Sequence, residues 1–87
     1  MRKITYLAVL ERSEEGYGVY FPDLPGCISY GKDIEDARKN ATEALELHFY
    51  GIEKEKEIIP EASQDIDRKD LNEKDIIVAI DIFPDIV

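Results

Sequence analysis

The sequence predicts an α+β domain with the element order strand, strand, strand, helix, strand, and three observations carry this. The first is a series of β-rich apolar runs before residue 32, punctuated by Gly and Pro as short strands joined by turns are. The second is one long stretch, Asp33 to Ile52, whose apolar residues recur at helical spacing. The third is a closing apolar run, Ile76 to Phe83. At 87 residues the chain has room for a single domain, 1–87. A chain of this size buries only about 60–65% of its unfolded surface, so its core is modest and oligomerisation would help it. Its 44% hydrophobic and 36% charged composition is still too apolar for wholesale disorder.

Ile4 to Leu10 is apolar on both faces, with Ile4, Tyr6, Ala8 and Leu10 on one side and Leu7 and Val9 on the other. That pattern predicts a central strand. Ser13-Glu14-Glu15-Gly16 reads as a turn leading into a second strand, Tyr17 to Phe21, so the two form a hairpin. Pro22 has no N–H for a sheet ladder and ends that strand. Cys27 to Tyr30 is a short third strand stopped by Gly31. Asp33 is a good N-cap, and Glu35 and Asp36 complement the helix dipole in the first turn. Ile34, Ala37, Ala41, Ala44, Leu45, His48, Phe49 and Ile52 form the buried stripe, and Gly51 is expected to end the helix, with Ile52 contacting Leu47. Glu53 to Glu57 lacks apolar periodicity; Pro60-Glu61-Ala62-Ser63 is a turn, and Ser63 or Asp65 is expected to cap a short helical turn reaching Leu71.

The early strands should form an antiparallel three-stranded meander, with the last strand beside the first and the one long helix on one face. Both the first and the last strand are apolar on two faces, which predicts central places for both. One helix cannot cover both faces of such a sheet, so an uncovered apolar face or edge predicts a homodimer or higher homo-oligomer.

Twenty acidic against eleven basic residues give a net charge of −9. That sign opposes nucleic-acid binding, which runs on clustered Lys and Arg. The pairs Arg2-Lys3 and Arg68-Lys69 lie beside acids and make no patch, so direct nucleic-acid binding is not expected. The longest apolar run, Ile76 to Ile80, falls far short of the ~20 residues of a membrane span, and no membrane partner is expected. The start Met1-Arg2-Lys3 leads into a strand that lacks a small-residue cleavage site. One cysteine, Cys27, excludes an internal disulfide framework and fits a reduced cytoplasmic setting.

No catalytic, cofactor or metal site is expected. Two-metal nuclease chemistry needs converging carboxylates, one of them within the first strand, and Ile4 to Leu10 carries none. Asp81, Glu43 and Glu46 offer isolated ligands only. His48 is the sole histidine and lies by the helix stripe, where a structural role is expected, and Cys27 has no neighbouring cysteine. Gly16 and Gly18 stand in a hairpin and open no helix, so there is no phosphate loop. An acidic domain of this kind is expected to be a binding protein. The stiff connection Pro22-Asp23-Leu24-Pro25-Gly26 is its most suggestive feature. Prolines and a glycine pre-organise a loop and lower the ordering cost of binding. Asp23 with an apolar tip at Leu24, beside aromatic Tyr17, Tyr20 and Phe21, predicts a partner-binding surface of Tyr17, Tyr20, Phe21, Asp23, Leu24, Pro25 and Gly26. The competing reading is that the loop merely shapes a connection between two strands.

Gly16-Tyr17, the run Phe21-Pro22-Asp23-Leu24-Pro25-Gly26-Cys27, Gly31 and the helix segment Glu43-Ala44-Leu45-Glu46-Leu47 together resemble the HicB-like antitoxin family of type II toxin–antitoxin systems. Pro60-Glu61-Ala62-Ser63 is similar to the family's Pro-Glu-Pro-Ser turn, with Ala62 in place of a proline. The resemblance covers nearly the whole chain and implies a partial ribonuclease H-like fold without nuclease activity. It also implies a partner: a small basic toxin (HicA-like), an mRNA interferase with a double-stranded-RNA-binding-like fold and a catalytic histidine. Many members continue into a C-terminal DNA-binding domain. This sequence ends at Phe83-Pro84-Asp85-Ile86-Val87, so no such domain and no specific DNA binding are expected here. The other function compatible with these residues is a stand-alone, non-catalytic ribonuclease H-like domain that binds another protein or ligand.

Overall fold

A computed structural model describes residues 2–84 of the chain, and Asp85, Ile86 and Val87 of the terminal expectation lie outside those residues. The strands are β1 (Ile4–Ser13), β2 (Gly16–Tyr20), β3 (Ile28–Gly31) and β4 (Ile76–Ile82). A single long helix, α1 (Ile34–Lys54), follows β3, and a one-turn 3-10 helix, Arg68–Asp70, precedes β4. The sheet runs β3-β2-β1-β4 with every neighbour antiparallel, as the meander and the return of the last strand to the first require.

Alternation along β1 sets the core. Tyr6, Ala8 and Leu10 point to the helix side and pack with Val19 and Phe21, with Val78, Ile80 and Ile82 of β4, and with Ala37, Ala41, Leu45, Phe49 and Ile52 of α1. Val9, on the opposite face, is also buried; its cross-strand partners are Tyr20 and Ile77. β1 therefore holds the central place its two apolar faces predict. β4 does not: it is an edge strand, paired with β1 alone among the described residues. The expectation failed because side-chain pattern reports what lies above and below a strand, whereas edge position concerns its backbone. On the face away from α1, Ile77 is half-buried and Ala79 and Asp81 are exposed, with Asp81 accepting a 2.5 Å hydrogen bond from the Thr5 hydroxyl.

The helix starts where Asp33 predicts. Its carboxylate accepts the Asp36 N–H at 2.8 Å, and Asp36 reciprocates by accepting the Lys32 N–H at 3.0 Å. The end differs from expectation, since Gly51 is interior and the helix runs one turn further to Lys54. Ile52 explains this: it is buried in the core and holds its turn helical, while Leu47, its expected contact, is exposed. Glu57 N–H donates to Ile52 O at 3.0 Å and Lys56 N–H to Glu53 O at 3.2 Å, with Lys56 at φ 56°. This is the Schellman pattern, built on a lysine where glycine is favoured. Lys56→Gly should therefore stabilise the fold by about 1 kcal/mol by removing the Cβ penalty. Thermal unfolding should show Tm raised by roughly 4–8 °C; an unchanged or lower Tm contradicts the assignment. The short helical turn is capped by Asp67, not by Ser63 or Asp65: the Asp67 carboxylate accepts the Lys69 N–H at 2.9 Å.

Candidate partner-binding surface

The loop after β2 folds back on itself. Leu24 N–H donates to Phe21 O, Cys27 N–H to Leu24 O and Phe21 N–H to Cys27 O, at 3.0, 3.0 and 3.3 Å. Gly26 sits at φ +88°, a conformation that a side chain would strain, which allows the chain to reverse between Pro25 and Cys27. Closing the loop this way turns Leu24 inward, and with 1% of its surface exposed it belongs to the core, as does Phe21. The sequence reading of Leu24 as an exposed apolar tip is corrected here: the side chain is part of the core cluster formed by the sheet and α1.

That segment is held by Asp23. The Asp23 carboxylate accepts both the backbone N–H and the hydroxyl of Ser63, each at 2.7 Å. Tyr6 donates its phenolic hydrogen to the carbonyl of Pro60, and Ala62 packs against the core cluster. The Pro-Asp-Leu-Pro-Gly loop and the Pro-Glu-Ala-Ser turn, distant in sequence, thus form one clasp at the end of the sheet. Asp23 and desolvation together push the Tyr6 phenol above its ordinary pKa, with desolvation the larger cause.

Of the residues expected to bind a partner, the structure brings Phe21, Asp23, Leu24, Pro25 and Gly26 into this clasp, with Pro25 and Gly26 exposed. Tyr17 is half-buried and packs at the core's margin. Tyr20 is half-buried on the opposite sheet face, where desolvation, followed by the carboxylates of Glu11, Asp75 and Asp70, raises its pKa. Sequence reasoning missed two neighbours of the clasp. Ile58 is 92% exposed, and Ile59 is exposed beside it, between Glu57 and Glu61. The signal was present: two β-branched residues in a charged stretch with no periodicity have no fold-directed reason to be apolar.

Cys27 is buried, and desolvation pushes its thiol up to about 11. The thiol therefore stays protonated near neutrality, where a nucleophile needs thiolate. Native protein should react with a thiol reagent at pH 7.5 at least about tenfold more slowly than the unfolded chain. Because the folded pKa lies above the unfolded one, the associated stability is present below pH 9 and is lost as pH rises towards 11. Equal labelling rates with and without denaturant would contradict this. His48 is half-buried on α1 beside the core stripe. Among the described residues no group of three His, Cys, Asp or Glu side chains is placed to hold a metal ion, and no helix is long and apolar enough to cross a membrane.

The model of the HicB-like antitoxins of bacterial toxin–antitoxin systems matches residues 6–85. The chain belongs to the HicB-like antitoxin family. It is 46% identical over 46 residues to a UPF0150 protein of Helicobacter pylori, covering 53% of this chain and 64% of that protein. It is 36% identical over 58 residues to an uncharacterised protein of the rep-hol intergenic region of Haemophilus phage HP1, covering 67% of this chain and 44% of that one. The chain therefore spans about two-thirds or less of the length of these relatives. Among solved structures, a chain of the HicA3 and HicB3 toxin-antitoxin complex superposes with a TM-score of 0.70 at 30% identity, covering 88% of this chain and 95% of that one. The antitoxin HicB3 crystal structure superposes at 0.75 with 29% identity, covering 93% of this chain and 63% of that one. A toxin-antitoxin complex from Streptococcus pneumoniae shares the fold, with a TM-score of 0.80 at 21% identity over 97% of this chain and 71% of that one. The HicB-like chain is thus an α+β protein of a toxin–antitoxin family, with the four-stranded antiparallel sheet and single helix of its relatives.

Proposed function

We propose that this HicB-like chain is an antitoxin that neutralises a small basic RNA-cleaving toxin by forming a complex with it, without catalysis of its own. The observation that carries the reading is the likeness to a chain of the HicA3 and HicB3 toxin-antitoxin complex, which runs over nearly the whole of both chains. The net charge of −9 supports it, because an acidic surface steers a basic partner to itself. On this reading the chain acts in the cytoplasm, where a messenger-RNA-cleaving toxin and a reduced Cys27 both belong, and it works as a homodimer or higher homo-oligomer.

The contact surface on this reading is the exposed side of the clasp. Pro25 and Gly26 present a rigid backbone, Ile58 and Ile59 supply apolar area, and Glu57 and Glu61 supply charge. Phe21, Asp23 and Leu24 hold that surface in shape from beneath, and Tyr17 and Tyr20 lie towards the sheet. Co-expression with a small basic HicA-like toxin, sought first in the reading frames adjacent to this gene, tests the proposal by growth. Wild type should restore growth that the toxin alone arrests, and Ile58→Lys should lose most of that protection while folding normally. Association should also slow as salt rises, since steering is screened over a Debye length of about 10 Å at 0.1 M. Growth arrest that persists with wild-type chain present at excess would refute the function.

A further inference from the structure

The chain carries five serine and threonine hydroxyls, on Thr5, Ser13, Ser29, Thr42 and Ser63. Thr5, Ser13 and Ser29 lie in strands, and Thr42 lies in α1. Of the five, Ser63 alone stands outside regular structure, exposed at the end of the stretch 57–63, which forms neither helix nor strand. It is also the residue that fastens the clasp, through its two bonds to the Asp23 carboxylate. Little else ties its segment down: the Tyr6 hydroxyl donates to the Pro60 carbonyl, and Ala62 packs against the core cluster. A segment held by so few contacts opens locally far more readily than the sheet unfolds, and an enzyme can then reach its side chains.

Charge decides what a change at Ser63 does. An ionised carboxylate only accepts hydrogen bonds, so Asp23 holds Ser63 through the two hydrogens that Ser63 supplies. Replacing the hydroxyl hydrogen with a phosphoryl group removes one of these bonds and sets a charge of about −1.5 to −2 beside the carboxylate. In the sequence no lysine or arginine stands within four residues of Ser63, whereas Glu61, Asp65 and Asp67 do. The group therefore meets repulsion from Asp23 without a neighbouring cation on its own segment to receive it.

We propose that Ser63 is a phosphorylation site and that its modification opens the clasp. The donor is a nucleoside triphosphate held by a serine kinase of the same cell. The Ser63 oxygen attacks the terminal phosphorus, and the new O–P bond forms as the bond to the leaving nucleoside diphosphate breaks. The hydroxyl proton passes to the kinase's base. The added charge then keeps Ser63 away from Asp23, and Pro25 and Gly26 lose their fixed relation to Ile58 and Ile59. As regulation of toxin binding the inference rests on the function proposed above; as a latch it rests on the Asp23–Ser63 bonds alone.

The test uses the full chain, phosphorylated at Ser63 by joining synthetic residues 1–26 to 27–87 at Cys27, its only cysteine, with unmodified chain made the same way as control. Amide hydrogen exchange at Ser63, whose N–H donates to Asp23, reads the latch directly. Phosphorylation should speed this exchange at least about tenfold and leave the amides of β1 and α1 unchanged. In an Asp23→Lys chain the same group should slow it instead, because the pair then attracts. Affinity for a HicA-like toxin should fall about tenfold or more on phosphorylation. If the unmodified chain binds no toxin, the proposed function falls, and exchange alone decides the latch. Mass spectrometry of the chain recovered from its own cells, in growth and in stationary phase, should find the phosphoryl group on Ser63. Unchanged exchange at Ser63 after phosphorylation, toxin affinity equal to that of the control, or recovered chain without the modification would each overturn the proposal.

Discussion

Gly31→Ala should cost the fold about 3 kcal/mol and lower its Tm by roughly 15–20 °C, because the added methyl group has no space to enter. A Cβ at Gly31 would lie 2.2 Å from the Ala37 backbone nitrogen and 2.3 Å from its Cα. Both are main-chain atoms in the first turns of α1, and Ala37 is itself fully buried against the sheet. Neither can be moved without shifting the helix off β3, which would loosen the packing of Ala41 and Leu45 as well. Gly31 is thus the point where strand and helix touch backbone to backbone. A thermal melt of Gly31→Ala within about 3 °C of wild type, well under the shift expected from 1 kcal/mol, would contradict a backbone-to-backbone contact at Gly31.

Leu24→Ala is the second large effect. Removing a buried leucine side chain costs about 2–5 kcal/mol, the spread depending on how far the site collapses. Leu24 sits beneath a loop whose hydrogen bonds to Phe21 and Cys27 fix its backbone, so little collapse is available, and about 3 kcal/mol is expected. Denaturant titration should show the midpoint falling with an unchanged slope. The variant also separates two roles. If Leu24 supports the partner surface from within, complex formation at a temperature where the variant is still folded should be close to that of wild type. A folded Leu24→Ala protein that has lost toxin binding would mean that the leucine makes the contact itself.

Much of the fold was legible because its signals are local. The apolar run on both faces of β1, the hairpin turn before Gly16, the cap at Asp33 and the stripe from Ala37 to Phe49 each depend on residues a few positions apart. What was not legible depends on contacts between distant residues. Nothing near Leu24 in the sequence reveals that Ala62 and the Pro60 turn close over that region, and the Asp23–Ser63 bonds span 40 residues. Gly51 reads as the helix end because a glycine is a common terminator, whereas burial of Ile52 outweighs that preference and leaves Lys56 to adopt the left-handed conformation. The side chains of β4 suggest a central place, although among the described residues it pairs with β1 alone.

The candidate surface divides in the same way. The motif Pro22 to Cys27 was visible as something built, and the choice between a contact and a scaffold required the structure. Inward-facing Phe21 and Leu24 and the double acceptance by Asp23 make most of the loop a scaffold. The residues it leaves outward, Pro25 and Gly26, acquire exposed neighbours in Ile58 and Ile59 from a stretch that had no readable periodicity.

The central claim is that this chain silences a toxin by binding it. The most direct measurement titrates the purified chain into a purified small basic HicA-like toxin and follows cleavage of a messenger RNA. The account predicts that cleavage stops at a fixed stoichiometric ratio, that inhibition weakens as salt rises, and that Ile58→Lys shifts the titration to much higher concentration. Cleavage that continues undiminished at a large excess of folded wild-type chain would contradict it.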